Sequence, residues 1–464
     1  MAEFPFQLLI KDSSLTHKEE SLRCLALLRA IPGNRQVYDA LWNNREVIVK
    51  VFLHKINARR HLKREWRGLS LLQKRGLSVP TPLFFGKTEN DGLAMVVEKI
   101  VDSSTVLDVF NETTSLIAKL NLLGLVCKEL AKQHSKGVLQ KDLHLGNFLL
   151  QKEKLFTIDT AQMCFLSRKA SKRQVILQLA LLASILPEEN AEGITSLCEK
   201  YAAASSWRFT PADMVVFWKK LAAHRKHSIR KSLKKCLRTN KRHIQTVRYD
   251  YHAVARRDFF EKVDFTEFLQ NIDELMQNGQ ILKDGNTCFV SRISLAGGEV
   301  VVKRYNYKGI IHSVRHTLKR SRARRNWLHA HRLGMLNIPT AKPLAFIEKR
   351  WLLVVYKSYF VTEYIDGQKL SDFLQDNSLL EEQRLGMVKK VTELINKLSK
   401  HHITHGDLKH SNILVLDSKP TLIDLDSMRV YGRCNCLFGI RGSKDLVNFE
   451  NNCRCKISFS ATGN

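Results

Sequence analysis

The chain has 464 residues, with 75 lysines and arginines against 45 aspartates and glutamates, for a formal net charge of +30. That length exceeds one comfortable core and predicts two or three domains, while 44% hydrophobic and 26% charged residues exclude a disordered chain. The charge implies affinity for polyanions, namely nucleic acid, an acidic membrane face or phosphorylated glycans. No apolar run reaches the roughly 18 residues of a bilayer-spanning helix; the nearest, 175–186, is interrupted by Gln178. The opening MAEFPFQLLIKD has no basic region ahead of an apolar one and is not expected to be a secretory signal.

In chain order, the first clear elements are VYDALW and EVIVKVF (46–52), joined by Asn43-Asn44-Arg45, with Lys50 at the fifth position of the second run. Two β-rich runs across such a turn predict a hairpin. A basic helical segment follows, HLKREWRGLSLLQKRGLSVPTPL, which contains Glu65, and then an apolar strand with Glu98. A long helix over about 115–136 leads into GVLQKDLHLGNFLLQKEKLFTID (137–159). The basic stretch 224–248 places apolar residues at roughly helical spacing and predicts a helix packed on the first half and leading into the second.

The series then recurs. CFVSRISL and EVVVKRY (299–305) flank Ala296-Gly297-Gly298 and place Lys303 at the matching position. RARRNWLHAHRLGMLNIPTAKPL, an apolar strand with Glu363, and a helix over about 381–401 lead into HITHGDLKHSNILVLDSKPTLID (402–424). In both halves an Asn stands five residues after the loop Asp, and a second Asp seventeen after it: Asp142, Asn147 and Asp159, then Asp407, Asn412 and Asp424. One such loop is a weak signal; two at identical offsets, each with a strand Lys upstream, make chance a poor account.

These residue types suit phosphoryl transfer, which needs positioning and charge neutralisation more than covalent chemistry. A strand Lys holds phosphates and a helix carboxylate orients it. One Asn and one Asp suit Mg²⁺, and a further Asp can take a hydroxyl proton. The first half supplies Lys50, Glu65, Asp142, Asn147 and Asp159; the second supplies Lys303, Asp407, Asn412 and Asp424, with Asn326 at the position of Glu65. An amide cannot neutralise an ammonium, so a weaker Lys303 anchor is expected. Asp426 reads equally as a solvated strand-end carboxylate or a second metal contact.

HGDLKHSNILV followed by LIDLDSM resembles the lipopolysaccharide kinase (Kdo/WaaP) family, and the first half is similar in VIVKVF and QKDLHLGNFLL. The resemblance covers about 30–186 and 278–450. It implies an α+β chain of two tandem protein-kinase-like folds, each a small β-rich N-lobe and a mainly helical C-lobe. The expected division is 1–223 for the first module, 224–265 for a basic helical connector and 266–464 for the second module. The resemblance further implies ATP and Mg²⁺ as cofactors, with Asp142 and Asp407 as catalytic residues. Lys50 and Lys303 would contact phosphates, and Asn147, Asp159, Asn412 and Asp424 would be metal ligands. The implied acceptor is a sugar hydroxyl of the lipopolysaccharide inner core, at a cytoplasmic site on the anionic inner face of the inner membrane.

Gln140 replaces the loop His of protein kinases, Gly406 replaces the loop Arg, and neither half has a glycine-rich phosphate loop or D-F-G. These departures favour a glycan kinase over the alternatives, a protein kinase or a catalytically weak kinase-fold scaffold regulating lipopolysaccharide assembly. The basic segment 304–332 reads either as a solvated face or as a dock for phosphate-rich glycan or anionic lipid. No nucleic-acid partner is expected, for want of an aromatic-interleaved platform. Ten cysteines are present; Cys434, Cys436, Cys453 and Cys455 have C-x-C spacing and read as thiols of a reducing compartment rather than zinc ligands.

Overall fold

A computed structural model describes residues 3–12, 19–31, 33–53, 58–89, 92–306, 320–351, 354–432, 438–439, 442, 445–447 and 449. The middle of the expected basic dock, 307–319, lies outside these residues, as do Cys434, Cys436, Cys453 and Cys455. The architecture is mixed α/β, and two compact units divide the chain, Met1–Lys226 and His227–Asn464. Among the described residues no helix is long and apolar enough to cross a membrane.

The first unit opens with a closed barrel. Its strands are β1 (Phe6–Asp12), β2 (Glu19–Ile31), β3 (Arg35–Trp42), β4 (Arg45–Phe52), β5 (Pro82–Thr88) and β6 (Leu93–Glu98), in the order β1-β2-β3-β4-β6-β5. β1 pairs with both β2 and β5, which closes the ring and removes its edges. The predicted hairpin is β3–β4, with Asn43 and Asn44 at φ of 50° and 62° in its two-residue turn, where Asn tolerates the left-handed region. Alternation along β4 sends Val47, Val49 and Val51 into the barrel core and turns Lys50 and Phe52 to the other face. Helix α1 (Ala58–Lys74) covers that face with the stripe Leu62, Glu65, Gly68, Leu69 and Leu72. One stripe position is therefore a carboxylate, which burial obliges to find a partner.

Gly68 lets α1 approach the turn Thr160–Gln162. A Cβ there would stand 2.6 Å from the Thr160 carbonyl oxygen and from Oγ1. Gly68→Ala is expected to destabilise the chain by about 1–3 kcal/mol through overpacking, despite the better helix propensity of Ala. A urea midpoint equal to or above that of the wild type would contradict this contact. The remainder of the unit is mainly helical. Helices Leu116–Ser135, Lys172–Ala183 and Ala191–Ala203 and the start of Pro211–Lys235 share one apolar core containing Leu123, Leu130, Leu179, Leu197, Tyr201 and Phe217.

The second unit is built on a seven-stranded antiparallel sheet. Its order is His243–Val247, Tyr251–Arg256, Pro343–Trp351, Val354–Glu363, Gly298–Asn306, Cys288–Leu295 and Gln280–Gly285. The last five repeat the relative order of β5, β6, β4, β3 and β2 in the barrel. Helix Phe265–Asn278 places Phe265, Phe268, Leu269, Ile272 and Met276 at helical spacing against one face. Helix Arg322–Met335 covers the other through Trp327 and Leu333. With both faces covered, Gly298–Asn306 alternates between two environments. Val300 and Val302 face one core, whereas Tyr305 faces the other, with Lys303 at the same parity.

The stretch 224–248 is not one helix. Pro211–Lys235 ends at Lys235, and His243–Val247 is a strand paired with Tyr251–Arg256. Asn240 turns the chain: its Nδ2 donates to the carbonyls of Lys235 and Arg238 at 2.7 and 2.8 Å, and its Oδ1 accepts from the amides of Arg242 and His243. The basic side chains do not mark this break, and the alternating run HIQTV that follows is too short to outweigh the helical pattern before it.

Candidate active site

In the first unit, Lys50 on β4 pairs with Glu65 Oε1; Glu65 is only 1% exposed. Glu65 Oε2 also takes Arg35, at 3.4 Å, and the same guanidinium reaches Asp159 at 3.9 Å. Glu65 is thus a buried, shared counter-ion rather than a surface helix charge. Asp159 has φ 56° and ψ 60°, a left-handed conformation uncommon outside glycine, immediately before the turn Thr160–Gln162. Asn147 Nδ2 donates to the Asp142 carbonyl at 2.7 Å. Asp142 is exposed, with the His144 Nε2 at 4.0 Å from its Oδ2.

Gln140, in place of the loop His, is buried. Its Nε2 donates to Gln133 Oε1 at 2.9 Å, and Gln178 Nε2 donates to its carbonyl at 2.5 Å. Amide side chains therefore hold this loop, and the His134 ring joins them through Gln178 Oε1 at 3.2 Å.

The second unit repeats the arrangement with a different lysine partner. Lys303 Nζ lies 2.6 Å from Asp424 Oδ1 and 2.8 Å from Asp426 Oδ2. Asn326, buried on the helix face where α1 carries Glu65, donates to Asp426 Oδ1 and to the Tyr305 hydroxyl. Tyr305 in turn donates to Asp426 Oδ1 at 2.6 Å, and Arg322 donates to Oδ2 at 2.9 Å. The expectation of a weak Lys303 anchor is corrected: Asp426, two residues beyond Asp424, supplies the charge the helix lacks. At 13% side-chain exposure it is not a solvated strand-end carboxylate.

Burial alone would raise the Asp426 carboxyl, but Lys303, Tyr305 and Arg322 pull it down to about 2. Burial likewise opposes the Lys303 ammonium, yet Asp426 and Asp424 outweigh it and raise its pKa above the usual lysine value. Asp426 and Lys303 thus stabilise one another's charged form.

Asp424 repeats the left-handed backbone of Asp159, with φ 57° and ψ 69°. The same rare conformation at both matched aspartates marks the two loops as equivalent. Asn412 Nδ2 donates to the Asp407 carbonyl at 2.8 Å and to its Oδ2 at 3.3 Å. That spends the amide nitrogen and leaves the oxygen as the end suited to a cation. Gly406, at φ 81°, is required: a Cβ there would meet the Ser427 carbonyl oxygen at 2.6 Å. His405 is buried and its Nε2 donates to the Ile423 carbonyl at 3.1 Å; burial lowers its pKa and favours the neutral ring.

Two contributors went unread in the sequence. Lys409 pairs with Asp407 Oδ1 at 2.9 Å; its position two residues after the loop Asp was the available signal, and His144 stands there in the first unit. Asp445 accepts from the amides of His405 and Gly406 at 2.7 and 2.9 Å and so fixes the loop. No local pattern points to Asp445, which acts across a long sequence separation.

A cleft of about 450 Å³ is lined by Val290, Val301, Phe360, Leu414 and Ile423 together with Lys303, Asn412 and Asp424. A more polar cavity of about 220 Å³ shares Lys303 and Asp424 and adds Arg322, Asp407, Asp426 and the hairpin turn at Gly285. An apolar slot joined to convergent charges is the usual character of a small-molecule site. Asp424 and the Asn412 oxygen form a hard-donor pair that fits Mg²⁺.

Residues 278–433 match the Lipopolysaccharide kinase (Kdo/WaaP) family. The matched residues lie within the second unit. Over 64 residues the chain is 39% identical to the KEOPS complex subunit Bud32 of Pyrococcus abyssi (strain GE5 / Orsay), which covers 14% of this chain and 28% of that protein. The chain therefore spans little more than a quarter of the length of this curated relative. A crystal structure of the Mycobacterium tuberculosis PknI kinase domain aligns with a TM-score of 0.27 and 15% identity, covering 36% of this chain and 72% of that one.

Proposed function

We propose that the second unit is an ATP-dependent phosphotransferase and that its acceptor is a sugar hydroxyl of phosphorylated lipopolysaccharide core, met at an anionic membrane surface. The observation that carries this reading is the apolar cleft lined by Lys303, Asn412 and Asp424, together with the polar cavity that shares Lys303 and Asp424 and adds Asp407. Val290, Val301 and Phe360 offer the flat apolar walls a purine base requires. Lys303 contacts phosphate oxygens, and the polar cavity receives the transferred group. Asp407 orients the acceptor hydroxyl and takes its proton, with Lys409 beside it to offset the charge of the transferred phosphate. Asn412 and Asp424 would hold Mg²⁺, which when bound would neutralise the phosphate oxygens.

The glycan acceptor is supported by the matched family and by the net charge of +30, which suits a phosphate-rich substrate and an acidic membrane face. We read both units as kinase-like folds, with chemistry in the second. The first keeps the Lys50–Glu65 pair but has His144 where Lys409 stands, and Arg35 occupies the space beside Asp159. Its role on this reading is binding or support.

Purified core oligosaccharide, ATP and Mg²⁺ provide the test. Phosphorus NMR of the oligosaccharide is expected to show a new phosphomonoester, formed by the full chain and not by Asp407→Asn. Unchanged core phosphate in cells lacking the protein would count against the sugar acceptor while leaving ATP turnover to be judged separately.

A further inference from the structure

A second constellation lies in the sheet region of the second unit, built from three segments. Cys236 follows directly on helix Pro211–Lys235, His243 begins strand His243–Val247, and His331 sits on helix Arg322–Met335. One potential ligand atom from each lies within 4.8 Å of the other two. Cys236 and His243 are 4% and 6% exposed. His243 Nδ1 and His331 Nε2 are buried without a hydrogen-bond partner, a costly condition for two nitrogens in one place. Trp327 braces the group: its ring centroid lies 4.3 Å from that of His331 and 5.6 Å from that of His243, and its Nε1 donates to the Cys236 carbonyl at 3.0 Å.

We propose that Cys236, His243 and His331 form a binding site for one Zn²⁺ ion, with water as the fourth ligand. A thiolate and two imidazoles are a borderline-soft set that selects zinc over Mg²⁺ or Ca²⁺. Zn–S near 2.3 Å and Zn–N near 2.0 Å place tetrahedral ligand atoms about 3.5 Å apart, so small side-chain rotations close the site. Burial holds both imidazoles neutral, His243 at about 4 and His331 at about 3, and the neutral ring is the ligating form. Burial also raises the Cys236 thiol to about 11, so the metal must displace its proton. Arg242 and Arg256 add unfavourable positive charge; Asp258 offsets part of it through a forked pair with Arg256 at 3.0 and 2.8 Å. The ion would join the turn after Lys235, the sheet edge and the helix that carries Asn326.

The test uses the full chain, stripped of metal by a chelator and titrated with Co²⁺ as an optical probe. One equivalent is expected, with tetrahedral d–d bands and a sulfur-to-cobalt charge-transfer band, both lost on adding Zn²⁺. A chain with Cys434, Cys436, Cys453 and Cys455 all changed to Ser should keep these bands, whereas Cys236→Ser should lose the charge-transfer band. Should Cys236→Ser fail to fold, zinc-edge absorption of the four-serine chain decides instead, with one sulfur in the coordination shell expected. No Co²⁺ band in the wild type, or no sulfur at zinc in the four-serine chain, would overturn the proposal.

Discussion

Asp407→Asn is expected to lower phosphotransferase turnover by about 10²–10⁴-fold, the usual contribution of a positioned general base. Nucleotide binding should persist, because Lys303 and Asp424 remain paired and the apolar walls of the cleft are untouched. Asp142→Asn should leave turnover in place. The contrast rests on local surroundings: Asp407 has the Lys409 ammonium at 2.9 Å, whereas Asp142 has the His144 ring at 4.0 Å. ATP consumption and equilibrium nucleotide binding, measured on both variants, separate catalysis from binding. Loss of turnover in Asp142→Asn with full activity in Asp407→Asn would place the chemistry in the first unit and sink this assignment.

Asp426→Ala is expected to destabilise the second unit by about 3–5 kcal/mol, the cost of breaking a buried pair by removing one side. The change removes the anion shared by Lys303 and Arg322 and the acceptor used by Tyr305 and Asn326. The double variant Asp426→Asn with Asn326→Glu moves the carboxylate to the helix, where Glu65 stands in the first unit, and should regain much of the loss. Urea denaturation of the two variants is the measurement; a shift below about 1 kcal/mol for Asp426→Ala would show that the pair adds nothing beyond its desolvation cost.

Acid gives a second readout of the same residue. The carboxyl is depressed to about 2 from an ordinary value near 3.8. Its contribution is therefore present above pH 4 and lost as the pH falls through that interval. Asp426→Ala should flatten the acid limb of the stability curve there.

The two loops were the most legible part of the chain, because their chemistry is written in short, fixed offsets: Asp142, Asn147 and Asp159, then Asp407, Asn412 and Asp424. The strand lysines were legible for a similar reason, since each stands at the fifth position of a short β-rich run, EVIVKVF and EVVVKRY. What could not be read was pairing across distance. Asn326 signalled a missing counter-ion, but only three-dimensional contact reveals Asp426 as its replacement. Asp445 is similar, holding the His405 and Gly406 amides from a segment with no periodic pattern. Strands β1 and β2 also escaped notice, because no turn signal of the kind that marks β3–β4 lies between them. The break at Asn240 was hidden by continuous basic charge, which carries no information about backbone direction.

The placement of Asp426 also bears on how such a site can be controlled. In the first unit the lysine's carboxylate rides on α1, while Asp159 comes from a separate loop, so movement of the helix could part the two. In the second unit the tripeptide Asp424-Leu425-Asp426 delivers both lysine contacts, and no rigid-body motion of helix Arg322–Met335 can separate them. Swinging that helix is thus a poor off-switch for the lysine anchor. Control of the second unit would instead act on access of substrates to the cleft.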